Sequence, residues 1–210
     1  MTLLDTILAR RSVKQYDTEH KLTDDELQQL LKAAVLAPTS FNMQNRHFVV
    51  ALDPEVREKL MGAAWGQKQV SEAAALFVIT GDFVAHRNAA RYLRDAPKPT
   101  QEALEPMIMK FYEGNDALVR DEACRSVGLA GMNIMLMAKD MGYDSCPLIG
   151  FDPAKVSEVL GLDENHPPLM MVTVGRQKEA ARPRMGLLDL SEQVSIDRFG
   201  NNPIEGAPDA

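Results

Sequence analysis

The sequence feature that most constrains the fold is a helical segment, roughly residues 120–141, that is apolar on almost every side. One face keeps helical spacing through Cys124, Val127, Gly131, Ile134, Ala138 and Met141. The other faces carry Leu129, Met132, Met135, Leu136 and Met137. Because a helix that is apolar all round belongs in a protein interior, we predict that this one is deeply buried. The small residues Gly128, Ala130 and Gly131 would let another helix approach it closely.

The rest of the chain alternates strand candidates with helical stretches. Three apolar segments are typical of strands: 47–52, 75–80 and 169–174. Helix starts are marked by a capping-box pattern at Thr23–Glu26 and by Asp-Pro pairs at 53–54 and 152–153. Strands separated by long helices indicate an α+β or α/β fold with more helix than strand. No linker-like composition divides the chain, so we predict a single domain over 1–199 and a mobile tail over 200–210.

Further helices follow from the same spacing argument. A short helix opens the chain, with Leu3, Leu4, Ile7 and Leu8 on one face, and ends near Arg10. A polar helix over 83–95 and a second helix over 101–117 are predicted before the long apolar segment. The stretch 142–151 is predicted to be a tight, mostly apolar turn because it contains Pro147 and Gly150.

Composition excludes several classes of function. With 23 Lys and Arg against 30 Asp and Glu, the 210-residue chain carries a net charge of −7, so nucleic acid and anionic membranes are not expected as partners. No apolar run approaches the roughly 20 residues that a membrane span requires, and the N-terminus lacks the pattern of a signal peptide. Two cysteines cannot form a disulfide framework, and the four histidines lack metal-ligand spacing. We expect a soluble, cytoplasmic protein without a metal site.

Two cationic clusters stand out against this acidic background. Residues 1–14 contain three cations and one anion, and residues 176–184 contain four cations and one anion. Guanidinium groups bind phosphate through forked hydrogen bonds, and Ser12 could add a hydroxyl donor. The clusters could therefore converge on one anionic ligand, or they could be two unrelated solvated patches. The residues alone leave both possibilities open.

Two loops could complete a binding site. The segment 38–45 offers hydroxyls, amides and an aromatic ring, which suits a hydrogen-bonding heteroaromatic ligand, although a plain helix-to-strand connection has the same composition. The segment 142–151 would let a backbone N–H approach a flat ligand, although a plain buried turn could have the same sequence pattern. Cys146 lies in this segment with no cation near it in sequence, and we expect it to be buried and inert.

Taken in order, these segments resemble the FMN-dependent nitroreductase and flavin oxidoreductase family over about residues 1–195. The opening Arg10-Arg11-Ser12-Val13-Lys14 resembles the family's phosphate-binding start, and Pro38 to Gln44 resembles its Pro-Ser-Ser-x-Asn-x-Gln loop. Gln67 to Val70 is similar to its Gln-rich segment, and Gly142 to Phe151 to its Gly-x-x-x-x-Pro-x-x-Gly-Phe turn. Arg182-Pro183-Arg184 stands at the position of its late basic pair.

The resemblance implies an α+β fold, with a mixed central sheet flanked by helices, in an intertwined homodimer whose interface holds two FMN molecules. The implied phosphate and ribityl contacts are Arg10, Arg11, Ser12, Lys14, Arg182 and Arg184. The implied contacts from the other subunit are Pro38, Thr39, Ser40 and Asn42. The implied ring contacts are Gln67 and Gln69 on the pyrimidine side and Pro147, Leu148, Ile149 and Gly150 over the ring, with the Gly150 N–H near flavin N5. The apolar 120–141 helix would pack at the dimer interface.

The activity implied by the resemblance is ping-pong hydride transfer from NADH or NADPH to FMN and then to a nitroaromatic, a quinone or a similar small acceptor, with no obligatory catalytic side chain. Two positions depart from many relatives: Gly66 replaces an Asn, and Ile149 replaces a Glu of some members. These departures leave open a flavin-binding or flavin-delivering protein with little reductase activity. A third possibility, a module that binds a phosphorylated metabolite without flavin, would leave the two loops unexplained.

Overall fold

The computed structural model describes residues 2–206, and its backbone divides into two compact units, Met1–Ala180 and Ala181–Ala210. The first unit contains the sheet and the larger helices. The second contains one short helix, Leu190–Gln193, started by a capping box at Asp189. The single domain over 1–199 and the mobile tail over 200–210 stay predictions, and residues 207–210 of that tail lie outside the described residues.

The first unit is built on a four-stranded sheet. Its strands are β1 (Arg46–Ala51), β2 (Ala75–Gly81), β3 (Asp144–Leu148) and β4 (Pro168–Gly175). Their order is β1-β2-β4-β3, and each neighbouring pair is antiparallel. A parallel pairing comes from the isolated bridge between Ser12 and Ser145 at the β3 edge. Every residue of β2 is buried, as expected for a strand paired on both sides and covered on both faces.

Helices flank this sheet, so the predicted α+β class is confirmed. In chain order they are α1 (Leu3–Ala9), α2 (Asp24–Val35), α3 (Pro54–Ala63), α4 (Gln69–Glu72), α5 (Ala89–Leu93), α6 (Lys98–Tyr112), α7 (Asp116–Asp140) and α8 (Pro153–Leu160). The predicted caps are present: Thr23 and Glu26 form a capping box, and Asp53 and Asp152 cap helices that begin with proline. None of the described helices is long and apolar enough to cross a membrane.

Three predicted elements are wrong in their bounds or type. The helix predicted over 101–117 ends at Tyr112 as α6, and α7 already begins at Asp116. The helix predicted over 83–95 is a short 3₁₀ turn, Ala85–Arg87, followed by α5, because the backbone between them is not helical at Asn88 (φ −131°, ψ 58°). The turn predicted over 142–151 contains a strand, β3, in its first half. Pro147 is tolerated there because β3 is an edge strand whose ladder lies against β4 alone.

The long helix α7 lies across the sheet, but it is buried on one side only. Its inner face, which includes Val127, Ile134 and Ala138, belongs to the main core together with β2 and β4. We predicted that this helix is deeply buried. In the single chain the prediction is wrong for its outer side, where Leu129 is 47% exposed and Met132 is 41% exposed.

Gly131 provides close approach to the sheet rather than to another helix. A Cβ built on Gly131 would lie 2.7 Å from Met170 Sδ of β4. Real Cβ atoms essentially never come this close to another heavy atom, so a side chain at position 131 would require the Met170 side chain to move.

The predicted apolar face of α1 is also exposed. Leu3, Leu4, Ile7 and Leu8 all remain accessible, while Thr6 is the buried residue of this helix. Beside α1, a groove of about 350 Å³ is bordered by Leu3, Leu136 and Met137. The apolar residues Leu3, Leu4, Ile7, Leu129, Met132 and Leu136 are called the α1/α7 surface below. Exposed apolar residues in this number are typical of an interaction surface.

A polar cluster joins the start of α2 to the end of α7. The Tyr143 hydroxyl donates to Glu26 Oε1 at 2.6 Å, and the Thr23 N–H and hydroxyl donate to Glu26 Oε2, each at 2.8 Å. The hydrogen bond from Tyr143, followed by those from Thr23, lowers the pKa of Glu26 to about 2. Burial, followed by the hydrogen bond to Glu26, raises the pKa of Tyr143 to about 12.

This cluster predicts a loss of stability in acid. The Glu26 carboxylate stabilises the folded state fully above its ordinary pKa of 4.5, and this contribution is lost as the pH falls toward about 2. The effect should be no more than about 1 kcal/mol because Glu26 is partly exposed to solvent. Urea unfolding at pH 7 and pH 3 should show a smaller pH dependence for Glu26→Gln than for the wild type. Asp25→Asn, in the same turn, is the control, and equal pH dependence in Glu26→Gln and the wild type would contradict the assignment.

Candidate functional site

The N-terminal segment after α1 runs along the β3 edge of the sheet. The Val13 N–H donates to the Ser145 carbonyl at 3.1 Å, beside the bridge between Ser12 and Ser145. Lys14 Nζ lies 3.2 Å from Cys146 Sγ. Two of the predicted phosphate contacts, Ser12 and Lys14, are therefore placed next to the strand that leads to Pro147 and Gly150.

Cys146 is buried, as predicted, and a cation that is distant in sequence lies beside it in the fold. The ammonium of Lys14 reaches it across 132 positions of sequence. No local pattern could reveal this contact, because it depends on the pairing of residues 12–13 with β3. Lys14 itself remains exposed, so it can also meet a ligand at this edge.

Tyr16 anchors the same segment, although its part in the site was not predicted from sequence. Its hydroxyl is 2.8 Å from Thr173 Oγ1, which donates to the Cys146 carbonyl at 3.2 Å. Burial strongly raises the pKa of Tyr16, so the side chain is a neutral phenol at physiological pH. Tyr16 thus fixes the position of Lys14 by packing and hydrogen bonding.

The structure brings together two groups of predicted ring contacts. Gln67 Nε2 donates to the Gly150 carbonyl at 2.7 Å, and Gln69 Nε2 donates to Gln67 Oε1 at 2.9 Å. Gln69 is buried, whereas Ile149 is 74% exposed. Among the described residues, the Gly150 N–H makes no hydrogen bond and can donate to a ligand. Pro147 and Leu148 end β3 directly before this point.

The predicted loop 38–45 lies at the other edge of the sheet. It leads into β1, whereas Pro147 lies in β3 and Gly150 follows it, and three strand spacings, about 14 Å, separate these edge strands. The loop is held by hydrogen bonds from Asn42 Nδ2 to the Tyr92 carbonyl at 3.2 Å and from the Tyr112 hydroxyl to Ser40 Oγ at 3.0 Å. Within one chain, Pro38, Thr39, Ser40 and Asn42 are thus not brought to the β3 edge.

The backbone of this loop is unusual. Phe41, Asn42 and Gln44 all have positive φ values, between 48° and 55°. Non-glycine residues adopt this conformation at a cost that the surrounding contacts must offset. The Gln44 N–H, which donates to Thr39 Oγ1 at 2.9 Å, is one such contact. A strained loop held from several sides is typical of a functional segment.

A cavity of about 570 Å³ borders the same loop and is lined in part by Asn42, Gln44, Arg46 and Tyr92. Arg46 is almost fully buried, and its Nη2 donates to the carbonyls of Ala34, Val35 and Ala37. Burial lowers the pKa of Arg46. These three carbonyls lie at the C-terminal end of α2, so Arg46 serves as a helix cap that the sequence analysis did not foresee.

The remaining predicted phosphate contacts are divided between the two compact units. Arg10 caps α1 through its N–H to the Thr6 carbonyl at 3.0 Å, and Arg11 follows it at the start of the segment along β3. Arg182 and Arg184 belong to the second unit. Their convergence with Arg10 on one ligand stays a prediction.

The first unit offers the donor set that a phosphorylated flavin requires. The cationic groups of Arg10, Arg11 and Lys14 suit a phosphate, while the amides of Gln67 and Gln69 suit the polar edge of a flavin ring. The Gly150 N–H adds a donor that no described residue uses. The residues therefore fit FMN. No cluster of three or more His, Cys, Asp or Glu that could hold a metal ion occurs in the described part of the chain.

Known proteins resemble this chain in sequence over most of its length. The model of the Nitroreductase family matches residues 7–176. Protein DrgA of Synechocystis sp. is 43% identical over 182 residues, which cover 86% of this chain and 87% of DrgA. MhqN of Bacillus subtilis, named as an NAD(P)H nitroreductase, is 36% identical over 183 residues, which cover 83% of this chain and 89% of MhqN.

A solved structure extends the agreement to the fold. A protein of Exiguobacterium sibiricum, described as a nitroreductase in complex with FMN, has a TM-score of 0.81 and 28% identity to this chain. The match covers 90% of this chain and 94% of that protein. The order of the motifs, the helices around an antiparallel sheet and these matches lead to the same conclusion: the chain belongs to the nitroreductase family.

Proposed function

We propose that this protein is a homodimeric FMN-dependent NAD(P)H oxidoreductase that reduces a nitroaromatic, a quinone or a similar small acceptor in a ping-pong cycle. The observation that carries the proposal is the hydrogen bond between Gln67 and the Gly150 carbonyl, which joins two segments predicted to contact the flavin ring. As a member of the nitroreductase family, the chain is an oxidoreductase with FMN as cofactor and NAD(P)H as electron donor.

When bound, FMN would supply the redox chemistry, since a flavin can take a hydride from NAD(P)H and pass reducing equivalents to an acceptor. In the proposed site, Gln67 and Gln69 would hold the pyrimidine side of the ring. The Gly150 N–H would donate a hydrogen bond toward N5, and Pro147, Leu148 and Ile149 would cover the ring. Because these donors are held by β3 and by each other before any ligand binds, little reorganisation is needed on binding. No side chain is assigned a proton-transfer role.

The phosphate and ribityl end of the cofactor is assigned to the cations. Arg10, Arg11, Ser12 and Lys14 are the proposed contacts from the first unit, and Arg182 and Arg184 those from the second. Ser12 and Lys14 lie beside β3, the strand that contains Pro147. Support for this assignment is the concentration of positive charge in a chain whose net charge is −7.

Two observations support the proposed homodimer. The proposed contacts Pro38, Thr39, Ser40 and Asn42 lie at the opposite sheet edge from Gly150, so a second copy is needed to place them on the same ligand. The α1/α7 surface leaves apolar side chains of both helices exposed, and a second copy would cover them. Each site would then combine the β3 edge of one copy with the loop 38–45 of its partner.

NAD(P)H is produced in the cytoplasm, and we propose that the enzyme works there. Ile149 offers no carboxylate to a nicotinamide, since this exposed position carries an aliphatic side chain. For this reason, a flavin-binding or flavin-delivering protein with little reductase activity is the second candidate.

Anaerobic stopped-flow spectroscopy separates the two candidates. The purified protein should be yellow, should be bleached rapidly by NADH or NADPH, and should regain its absorbance when a nitroaromatic or a quinone is mixed in. Slow bleaching with tight FMN binding would favour the delivery function. Protein that is colourless and cannot be reconstituted with FMN would overturn both candidates.

A further inference from the structure

The sole tryptophan of the chain, Trp65, lies on the surface where the flavin ring contacts are predicted. Its side chain is 72% exposed, although large aromatic residues are usually buried. Its backbone has φ +56°, and Gly66 follows with φ +75°. A bulky non-glycine residue in the left-handed region is a strained conformation, which persists only where the surroundings impose it.

The end of α3 imposes this conformation. The Ala64 N–H donates to the Leu60 carbonyl at 2.9 Å, and the Gly66 N–H donates to the Met61 carbonyl at 3.0 Å. Two successive left-handed residues then reverse the chain, so that the Gln67 side chain reaches the Gly150 carbonyl. The turn that strains Trp65 therefore also positions a predicted ring contact.

The indole is packed against Gly150. A Cβ built on Gly150 would lie 3.2 Å from Cζ3 of Trp65 and 3.3 Å from Nε2 of Gln67. Glycine at position 150 thus allows the indole and the Gln67 amide to approach the same backbone segment closely. The preceding residue, Ile149, is also exposed and apolar, so the unused Gly150 N–H belongs to a segment with apolar neighbours.

We propose that Trp65 is a positioning residue that borders the ring of the bound flavin and forms one wall of its pocket. An apolar wall beside a few convergent hydrogen-bond donors is the arrangement that binds a planar heteroaromatic ring. The inference rests on the proposed function, because it requires FMN at the Gln67–Gly150 surface. The proposal also accounts for the strained turn at residues 65–66, since a relaxed turn would move both the indole and the Gln67 side chain.

The test uses the fluorescence lifetime of FMN bound to the full-length holoprotein. Indole and phenol side chains at contact distance quench an excited flavin by donating an electron, whereas phenylalanine does not. Trp65→Phe should lengthen the lifetime of bound FMN several-fold, and Trp65→Tyr should restore most of the quenching. Trp65→Ala should also weaken FMN binding about 2- to 12-fold, which corresponds to the loss of one aromatic contact.

The outcomes are distinguishable from those of the proposed function. Equal lifetimes in the wild type and Trp65→Phe, with FMN retained by both, would overturn the role of Trp65 and leave the proposed function standing. Wild-type protein that binds no FMN would overturn the proposed function and this inference together. Should Trp65→Ala fail to fold, the comparison of Trp65→Phe with Trp65→Tyr still decides the question.

Discussion

Replacing Met132 with glutamate should convert a dimer into monomers and remove most of the bound FMN. Met132 is an exposed apolar residue of α7, with exposed Leu129 and half-buried Leu136 one turn away on either side. In a two-fold dimer each substitution occurs twice, and an unpaired carboxylate enters an apolar interface on both copies. Burial of an unpaired charge should raise the dimer dissociation constant at least about 100-fold. FMN should be lost as well because each proposed site uses both copies.

Sedimentation velocity at micromolar concentration, together with the ratio of flavin to protein absorbance, measures both effects. Met132→Leu is the conservative control and should stay dimeric with FMN bound. Leu52→Glu is a matched control, since Leu52 is an exposed apolar residue that follows β1 and lies outside the α1/α7 surface. A dimer that persists in Met132→Glu would show that this surface is not the interface.

Removing either of two arginines should weaken FMN binding strongly. Arg10→Ala and Arg184→Ala should each cost about 1–3 kcal/mol of binding free energy, a 5- to 150-fold rise in Kd, because each loses a charge-assisted hydrogen bond to the phosphate. The two residues belong to different compact units and to opposite ends of the chain. A similar loss from both is expected only if the two cationic clusters meet at one ligand.

The dissociation constants are measured by isothermal titration calorimetry, in which the apoprotein is titrated with FMN. Arg10→Lys should recover part of the affinity, since it keeps the charge and loses the forked geometry. Lys178→Ala removes a cation from the second cluster at a position with no proposed contact, and it should leave the affinity unchanged. The double variant should show non-additive losses if both arginines bind the same phosphate. Unchanged affinity in both single variants would refute the convergence of the clusters.

The local features of the fold were predictable because their causes are local. Three helix starts are marked by the capping box of Thr23 and Glu26 and by the Asp-Pro pairs at 53–54 and 152–153. In each, the capping residues lie within a few positions of the helix end that they stabilise. The strands β1, β2 and β4 were also predictable, since each contains an apolar stretch of at least four residues. These features depend on backbone hydrogen bonding and side-chain spacing within one segment.

Features that depend on distant partners were not predictable in the same way. β3 was missed because Asp144 and Pro147 are poor strand residues, and the strand exists through its pairing with β4. The contact of Lys14 with Cys146 and the cap that Arg46 places on α2 likewise join residues that no spacing rule connects. The exposure of Leu129 and Met132 depends on which face of α7 meets the sheet, and this face is selected only in the folded chain.

For the candidate site, the sequence alone determined which chemical groups are present: cations at both ends of the chain, amides at 67 and 69, and a glycine at 150. The order of these groups also determined the family. Tertiary structure decided which groups meet, because the antiparallel strand order carries Gly150 to one edge of the sheet and the loop 38–45 to the other. It also placed Trp65 against Gly150, where a side chain on that glycine would come too close. Residue types are read from the chain one position at a time, whereas a site is a set of distances that only the folded backbone defines.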